Sequence, residues 1–217
     1  MRISGSKTVA ARLEESNKSI ASPSVTVIKS RLPSSHVREE ELQGVLYAAR
    51  LMLVAARTAP KAKGMDSIET AIIKGEDLGR LAAEMRALAN RLGRAFYSRD
   101  AGNVEASDCV VLIGARAHES LGLNCGLCGY EDCSKRLKSW EERGRPMRGP
   151  FCEFKVLDLG IAVGSAVKMA SLLNVDNRVM YSVGHAALNL QLLPKATLAL
   201  GIPLSARGKS IYFDRRT

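Results

Sequence analysis

The hydrophobic positions along the chain repeat with helical spacing in several segments. In residues 37–57 and again in residues 78–92, apolar side chains recur at intervals of three and four, which places them on one face of a helix. Residues 154–173 have so few polar positions that they are apolar over most of the circumference, so we expect a largely buried helix. A shorter helix is predicted for residues 185–193, where Pro194 ends it.

Shorter apolar runs between these helices predict strands. Residues 68–73 are rich in β-branched side chains, and residues 109–114 form an uninterrupted apolar run. Residues 179–183 are interpreted as another strand, and residues 197–202 with 210–213 as a final strand pair. Because helices and strands alternate, the predicted class is mixed α/β (α+β), with a central sheet and surrounding helices.

The N-terminal segment lacks these patterns. Residues 1–36 contain nine serines and a net charge of +4 without a sustained hydrophobic period. We therefore expect a mobile basic arm, followed by a single α/β domain at residues 37–217. A solvated tail explains the arm most simply, and a nucleic-acid-binding arm is the alternative.

Composition indicates an ordinary globular chain with a basic bias. Its 217 residues are 46% hydrophobic and 25% charged, which excludes wholesale disorder, and the formal net charge is +10. The longest stretch without a formal charge, residues 179–194, is too short and too polar to span a membrane. Since the N-terminus also has no signal-peptide pattern, we expect a cytoplasmic protein with no membrane span.

Four of the five cysteines have the spacing of a metal centre. Cys125, Cys128 and Cys133 are separated by two and four residues, and Cys152 follows after eighteen more. Glycines after the first two cysteines allow a loop to wrap an anionic centre and to direct N–H groups at sulfur. One close pair with a remote fourth cysteine favours a [4Fe-4S] cluster, while zinc and free thiols stay open as alternatives. Cys109, inside an apolar run, is predicted to be a buried strand residue.

The segment between the third and fourth cysteines is basic. It has six Lys or Arg residues against two Glu, and its cations are Lys135, Arg136, Lys138, Arg143, Arg145 and Arg148. Cations near a cluster favour the thiolate form and raise the reduction potential. The alternative is a solvated basic loop that contributes only to solubility.

The cysteine motif resembles those of known iron–sulfur domains. The segment that begins at Cys125 has the pattern C-G-x-C-G-x-x-x-C, and Cys152 follows at a distance. This arrangement resembles the four-cysteine [4Fe-4S] domain of corrinoid iron-sulfur proteins and Rnf-type electron-transport subunits. Gly149-Pro150-Phe151-Cys152 and Asp158-Leu159-Gly160 are similar to motifs of an uncharacterised family of ferredoxin-domain proteins from anaerobic prokaryotes. That resemblance covers about residues 39–215, and it implies the cluster without implying a known reaction.

The order of predicted elements is similar to that of FMN-dependent nitroreductases. A helix, an Ala59-Pro60 turn, a strand and a second helix precede the buried helix that opens with Asp158-Leu159-Gly160. This resemblance implies a nitroreductase-like central sheet, a homodimer and bound FMN, with the iron–sulfur loop at about residues 121–153 as an insertion. Three cations after the first helix would hold the flavin phosphate: Arg57, Lys61 and Lys63. Their alternative role is to neutralise the C-terminus of that helix.

These observations lead to one functional hypothesis and one alternative. The hypothesis is an iron–sulfur redox protein that passes electrons between a [4Fe-4S] cluster and a bound flavin, a redox partner protein or a small-molecule electron acceptor. Its enzymatic form is a flavin-dependent oxidoreductase, for which no catalytic residue is identified. The alternative is a structural cluster in a nucleic-acid or protein interaction module. Aromatic residues are only 5% of the chain and no nucleic-acid-binding motif is recognised, so we expect no nucleic-acid partner.

Overall fold

The centre of the fold is a four-stranded antiparallel sheet. The computed structural model describes residues 34–213, and its strands are β1 (Ile68–Ile73), β2 (Cys109–Ala115), β3 (Asp176–Asn177) and β4 (Leu198–Ser205). They are hydrogen-bonded in the order β1-β2-β4-β3. The predicted arm at residues 1–36 lies outside the described residues, apart from residues 34–36, which begin the first helix.

Helices cover both faces of this sheet, which confirms the mixed α/β class. Those within the described residues are α1 (Ser34–Thr58), α2 (Glu76–Leu92), α3 (Phe96–Glu105), α4 (Cys133–Arg143), α5 (Glu153–Leu172) and α6 (Tyr181–Asn189). A short 3-10 turn, Ala62–Gly64, follows α1. No helix between residues 34 and 213 combines the length and hydrophobicity that a membrane span requires. The cytoplasmic location stays a prediction.

Strand β2 is buried on both faces because its alternate side chains enter two different cores. Val110 and Leu112 pack in the core formed with α2, α3 and α6, whereas Val111 and Ile113 pack in the core formed with α1 and α5. This double burial explains why the sequence of β2 is continuously apolar instead of alternating. Cys109 is fully buried in β2 as predicted, and burial raises the pKa of its thiol to about 12.

The register of the sheet places the cysteine segment at the C-terminal end of β2. Ala115 lies opposite Ile68 of β1 and Leu198 of β4. Beyond that end, the N–H of Thr197 donates to the Ala115 carbonyl at 2.9 Å, and the N–H of Cys152 donates to the Ala117 carbonyl at 2.8 Å. The chain between β2 and α5 therefore leaves and rejoins the domain at one edge.

The strand predicted at residues 179–183 is wrong. Met180 makes an isolated bridge with Gly201, and Tyr181 already begins α6, so the helix predicted at 185–193 starts four residues earlier and ends at Asn189. Tertiary contacts override the β-branched composition. The hydroxyl of Ser182 donates to the buried carboxylate of Asp100 at 2.6 Å, which requires the helical turn.

The predicted strand at residues 210–213 is also absent from the described residues. This segment is irregular and is held by side chains instead of a ladder. Arg178 donates to the Tyr212 carbonyl at 2.9 Å and lies over the Phe213 ring, and the Tyr212 hydroxyl is 3.2 Å from that of Ser107.

Two helices were not predicted. The sequence pattern assigns no element to residues 96–105, which form α3, and the basic segment that begins at Cys133 contains α4. The burial predicted for the apolar helix, now α5, is correct for one face only. Leu157 and Ile161 are 53% and 45% exposed on its outer face.

Candidate metal centre

The four cysteines predicted as ligands line one cavity at the edge of the sheet. Cys125 and Cys128 come from the loop before α4, Cys133 is the first residue of α4, and Cys152 directly precedes α5. Cys125 is exposed, the next two are half-buried and Cys152 is buried. Apolar side chains complete the wall of the cavity: Leu121, Leu123 and Phe154. The structure thus brings together residues that are up to 27 positions apart in the sequence.

Glycines give the cysteine loop its curvature. Gly126 and Gly129, which follow Cys125 and Cys128, have φ values of 71° and 81° in the left-handed region that side chains disfavour. The N–H of Gly129 donates to the Gly126 carbonyl at 2.9 Å and closes a tight turn between them. Both sulfur-bearing residues can therefore face the same cavity.

The third cysteine is fixed by reciprocal bonds with Asn124. The N–H of Cys133 donates to the Asn124 side-chain oxygen at 3.0 Å, and the N–H of Asn124 points at the Cys133 sulfur from 3.4 Å. The hydroxyl of Ser120, together with the Asn124 N–H, holds the pKa of the Cys133 thiol below its usual range. The loop therefore favours the thiolate that a metal ligand requires.

Two helix N-termini converge on the cavity. Cys133 is the first residue of α4, and Cys152 is the N-cap residue of α5. The unpaired N–H groups at a helix N-terminus favour a nearby negative charge, including a thiolate. The carboxylate of Asp132 caps α4 by accepting the N–H of Lys135 at 2.8 Å, which fixes the start of this helix.

The four cysteines match an iron–sulfur cluster in number and in donor chemistry. Within the described residues, no three His, Cys, Asp or Glu side chains converge as the ligands of one metal ion. A four-iron cluster separates its ligands further, because each iron binds its own thiolate. Four cysteines around one cavity therefore offer one thiolate for each iron of such a cluster.

An aromatic stack that was not predicted lies next to the cavity. The rings of His118 and Trp140 are stacked with centroids 5.4 Å apart, and Phe151 lies 5.8 Å from Trp140. Burial lowers the pKa of His118, so its ring is neutral at pH 7. No local sequence signal links these residues, because His118 follows β2 while Trp140 lies on α4.

Two cations beside the cavity are completely buried, which was not predicted. Arg136 of α4 and Lys155 of α5 are each 1% exposed. Arg136 had been counted among the basic residues of this segment without any indication of burial. The sequence holds one indication of this burial: Arg136 follows Cys133 by three residues, and residues three apart lie on the same face of a helix.

Two of the three cations predicted to hold a flavin phosphate bind the chain itself. Arg57 forms an ion pair with Asp66 and donates to the Ile68 carbonyl at 2.8 Å. The amino group of Lys61 donates to the Ala56 carbonyl at 2.9 Å, at the C-terminal end of α1, and burial lowers its pKa. These contacts match the alternative role of neutralising the helix C-terminus.

Lys63, the third predicted flavin contact, lies beside the cysteine loop. Its amino group donates to the Leu121 carbonyl at 3.2 Å, and Leu121 lines the cysteine cavity. The 3-10 turn around Lys63 is held against α5, because the N–H of Ala62 donates to Asp158 at 2.9 Å. The flavin contacts stay a prediction.

Similarity to other proteins is clearest at the level of sequence. An uncharacterized protein from Archaeoglobus fulgidus is 45% identical over 173 residues, which cover 80% of this chain and 92% of the relative. Residues 148–215 match the model of a family described as "Uncharacterized protein containing a ferredoxin domain (DUF2148)". The matched range contains Cys152, while the other three cysteines precede it.

Solved structures similar to this chain include nitroreductases, as the order of elements had suggested. Nitroreductase A from Vibrio parahaemolyticus is 11% identical with a TM-score of 0.46, and the alignment covers 78% of this chain but only 62% of the Vibrio chain, less than two thirds. A putative nitroreductase from Desulfovibrio desulfuricans, solved in complex with FMN, is 16% identical with a TM-score of 0.48 and 79% of each chain covered. This similarity is too weak to assign a function.

The archaeal relative, by contrast, is similar over nearly its whole length. The chain belongs to the family of uncharacterised proteins that contain a ferredoxin domain.

Proposed function

We propose that this protein carries electrons through one [4Fe-4S] cluster held by Cys125, Cys128, Cys133 and Cys152. The observation that supports this proposal best is that all four cysteines line one cavity. A ferredoxin domain in the family implies an iron–sulfur cluster, and the number and spacing of the cysteines favour the cubane type.

The surroundings of the cavity suit an anionic cofactor. The N–H of Asn124 points at the Cys133 sulfur, and Cys133 and Cys152 lie at the starts of α4 and α5, where the helix dipoles favour thiolates. Leu121 and Phe154 limit the access of water from the side of the domain. When bound, the cluster supplies reversible one-electron chemistry.

The exposed side of the cysteine loop is the proposed point of electron exchange. Cys125 is the most exposed of the four cysteines, and the flanking Leu123 and Leu127 are 42% and 57% exposed. Apolar side chains around an otherwise polar loop suit contact with a redox partner protein or a small-molecule acceptor. An electron would have the shortest path to solvent here.

FMN is proposed as a second cofactor only on the strength of the resemblance to nitroreductases. A flavin phosphate at Arg57 and Lys61 would have to compete with the ion pair and the carbonyl bonds that these side chains already make. Acid denaturation of the purified protein tests this directly. A yellow chromophore in the supernatant supports a flavoprotein, whereas a colourless one supports an electron carrier without flavin.

The proposed cluster is tested by anaerobic purification, reconstitution with iron and sulfide, and EPR spectroscopy of the reduced protein. We expect about four irons and four sulfides per chain and an EPR signal of a reduced cubane. Substituting any of the four ligands, for example Cys152→Ser, should lower the cluster content severalfold. Cys109→Ala is the matched control, and it should keep full iron because Cys109 is buried in β2.

A different metal content would contradict the proposal. About one zinc or one iron per chain after reconstitution, or full cluster content in Cys152→Ser, would exclude the cubane ligated by these four cysteines. A cluster that is present but cannot be reduced or reoxidised would instead support the structural role considered as the alternative.

A further inference from the structure

Two cations near the cysteine cavity are buried with little compensation from ion pairs within the described residues. Arg136 and Lys155 are the buried Lys and Arg side chains of residues 38–213. Arg136 lines the cavity itself, and Lys155 lies one helical turn after Cys152, whose carbonyl accepts the Lys155 N–H at 3.0 Å. Burying a cation is strongly unfavourable unless an anion compensates for the lost hydration.

The guanidinium of Arg136 is bound by neutral groups. Nη2 donates to the His118 carbonyl at 2.8 Å, and Nη1 donates to the Pro150 carbonyl at 3.2 Å. These carbonyls satisfy N–H groups but do not cancel a charge. Among the ion pairs of the described residues, none within 4.0 Å involves Arg136.

The ammonium of Lys155 shares a single distant carboxylate. Its Nζ lies 3.8 Å from Glu119, which is 40% exposed and accepts a closer bond of 2.7 Å from Arg116. Asp158, three residues further along α5, is buried but uses one oxygen to accept the Ala62 N–H. Asp132 and Glu153 also line the cavity, but among the described residues no ion pair within 4.0 Å joins either of them to Arg136 or Lys155.

A four-cysteine cluster would supply the missing negative charge. Four thiolates around an oxidised core leave a net charge of about −2 in the cavity that Arg136 lines. We propose that Arg136 and Lys155 are the internal counter-charges of the cluster and set its reduction potential, and that Arg136 also positions Cys152 through the Pro150 carbonyl. This inference rests on the proposed function.

The direction of the effect follows from electrostatics. Reduction adds one electron to the cluster without forming or breaking a bond, so the cluster becomes more negative and a nearby cation becomes more stabilising. Removing either cation should make reduction less favourable. We expect the equilibrium constant for one-electron reduction to fall about tenfold, which is a decrease of about 59 mV in the midpoint potential.

An EPR-monitored titration of the reconstituted full-length protein with dithionite, which supplies the electrons, measures this potential. Lys155→Met and Arg136→Met should each lower it by about 59 mV, the equivalent of tenfold. Lys138→Met is the matched control, because Lys138 also lies on α4 but its side chain is exposed. In this variant the equilibrium constant for reduction of the cluster should stay within about threefold of the wild-type value, since solvent screens an exposed charge.

Arg136→Lys separates the charge of Arg136 from its positioning role. It keeps the charge but loses the planar fork that reaches two carbonyls. We expect a potential close to that of the wild type together with a severalfold faster loss of iron to a chelator. If Arg136→Met does not fold, Arg136→Lys and Lys155→Met still test the two parts of the proposal.

The protein without a cluster gives an independent test with the opposite sign. In the apoprotein, the buried charge of Lys155 has only the shared carboxylate of Glu119 within 4.0 Å, so Lys155→Met should raise the melting temperature by a few degrees. In the loaded protein the same substitution should accelerate the loss of iron. Opposite effects in the two states are expected only if the cation and the cluster compensate each other.

Two results would overturn the inference. One is that the reduction potential of cluster-loaded Lys155→Met and the rate of iron loss from cluster-loaded Arg136→Lys are both those of the wild type. The other is a Lys155→Met apoprotein that is less stable than wild-type apoprotein. Failure of the proposed function is seen separately, since it would appear as the absence of iron and sulfide in the wild-type protein.

Discussion

Gly184 occupies the closest approach between a helix and the sheet. A Cβ atom at this position would lie 1.9 Å from the Ala199 carbonyl oxygen, so α6 rests directly on the backbone of β4. The neighbouring bridge between Met180 and Gly201, with N–H···O distances of 2.8 and 3.0 Å, fixes the same contact. A side chain here would have to displace main-chain atoms, which no rotamer change can avoid.

Gly184→Ala should therefore lower the free energy of unfolding by about 3 kcal/mol, since over-packing against a rigid backbone is costly. Gly79→Ala is the matched control in α2, because its Cβ would meet open space. The control should be stabilised by up to about 1 kcal/mol, owing to the higher helix propensity of alanine. Urea denaturation followed by circular dichroism compares the two. Equal effects of the two substitutions would contradict the close contact.

At the residue scale, the candidate ligands were predictable but their electrostatic surroundings were not. Cysteine spacing is visible in the sequence because three ligands share one loop. The burial of Arg136 depends instead on carbonyls 14 and 18 residues away, at Pro150 and His118. Such a contact exists only after the chain has folded, so a basic segment gives no indication of which of its cations is buried.

At the scale of elements, the start of α4 connects helix stability to the proposed cluster. Asp132 caps the helix, and the next residue is the candidate ligand Cys133. Loss of the cap would let the first turn fray at the position where the thiolate is presented.

Asp132→Ala should destabilise the protein by about 1 kcal/mol, the usual contribution of an N-cap, and should speed the loss of iron to a chelator severalfold. Asp132→Asn is the control, because an asparagine oxygen also accepts the Lys135 N–H. Chelator kinetics and urea denaturation give the two measurements. If Asp132→Asn loses iron as fast as Asp132→Ala, the charge of Asp132 and not its cap matters.

The elements that were predicted correctly are those with a strong hydrophobic period. Helices α1, α2 and α5 and strands β1, β2 and β4 all carry such a period or a continuous apolar run. Helix α4 has only a weak hydrophobic period, since its buried side chains are the polar Arg136 and Ser139. Helix α3 contains Gly102 and Asn103, which favour a loop by propensity, and its packing against α2 outweighs that preference.

At the scale of the whole molecule, the outer face of α1 and α5 is unusually apolar. Five large apolar side chains on this face are 44–60% exposed: Tyr47, Leu51 and Val54 of α1, and Leu157 and Ile161 of α5. The two helices are neighbours, since both line shallow grooves on this surface. With α5 about 30 Å long and two adjacent helices each about 10 Å wide, the face measures about 600 Å², which approaches the area that each partner buries in a typical dimer.

We propose that this face is the interface of a homodimer, because its area approaches what each partner buries in a typical dimer. Sedimentation velocity at micromolar concentration should show a dimer for the wild type. Ile161→Glu should shift it to a monomer, because a carboxylate on each copy would be desolvated at the interface. Val179→Glu, at an exposed apolar residue outside α1 and α5, should leave the dimer unchanged. A monomeric wild type would contradict the proposal.

The position of Cys152 gives the cluster a further consequence for folding. Eighteen residues, which include α4, separate it from Cys133, and Cys152 directly precedes α5, whose inner face belongs to the core. A cluster that joins the two cysteines would close this segment as a cross-link does, and a loop of similar length closed by a disulfide is worth about 3 kcal/mol in chain entropy. The same thiolates that hold an electron carrier would then tie α4, which has few apolar contacts of its own, to the rest of the domain.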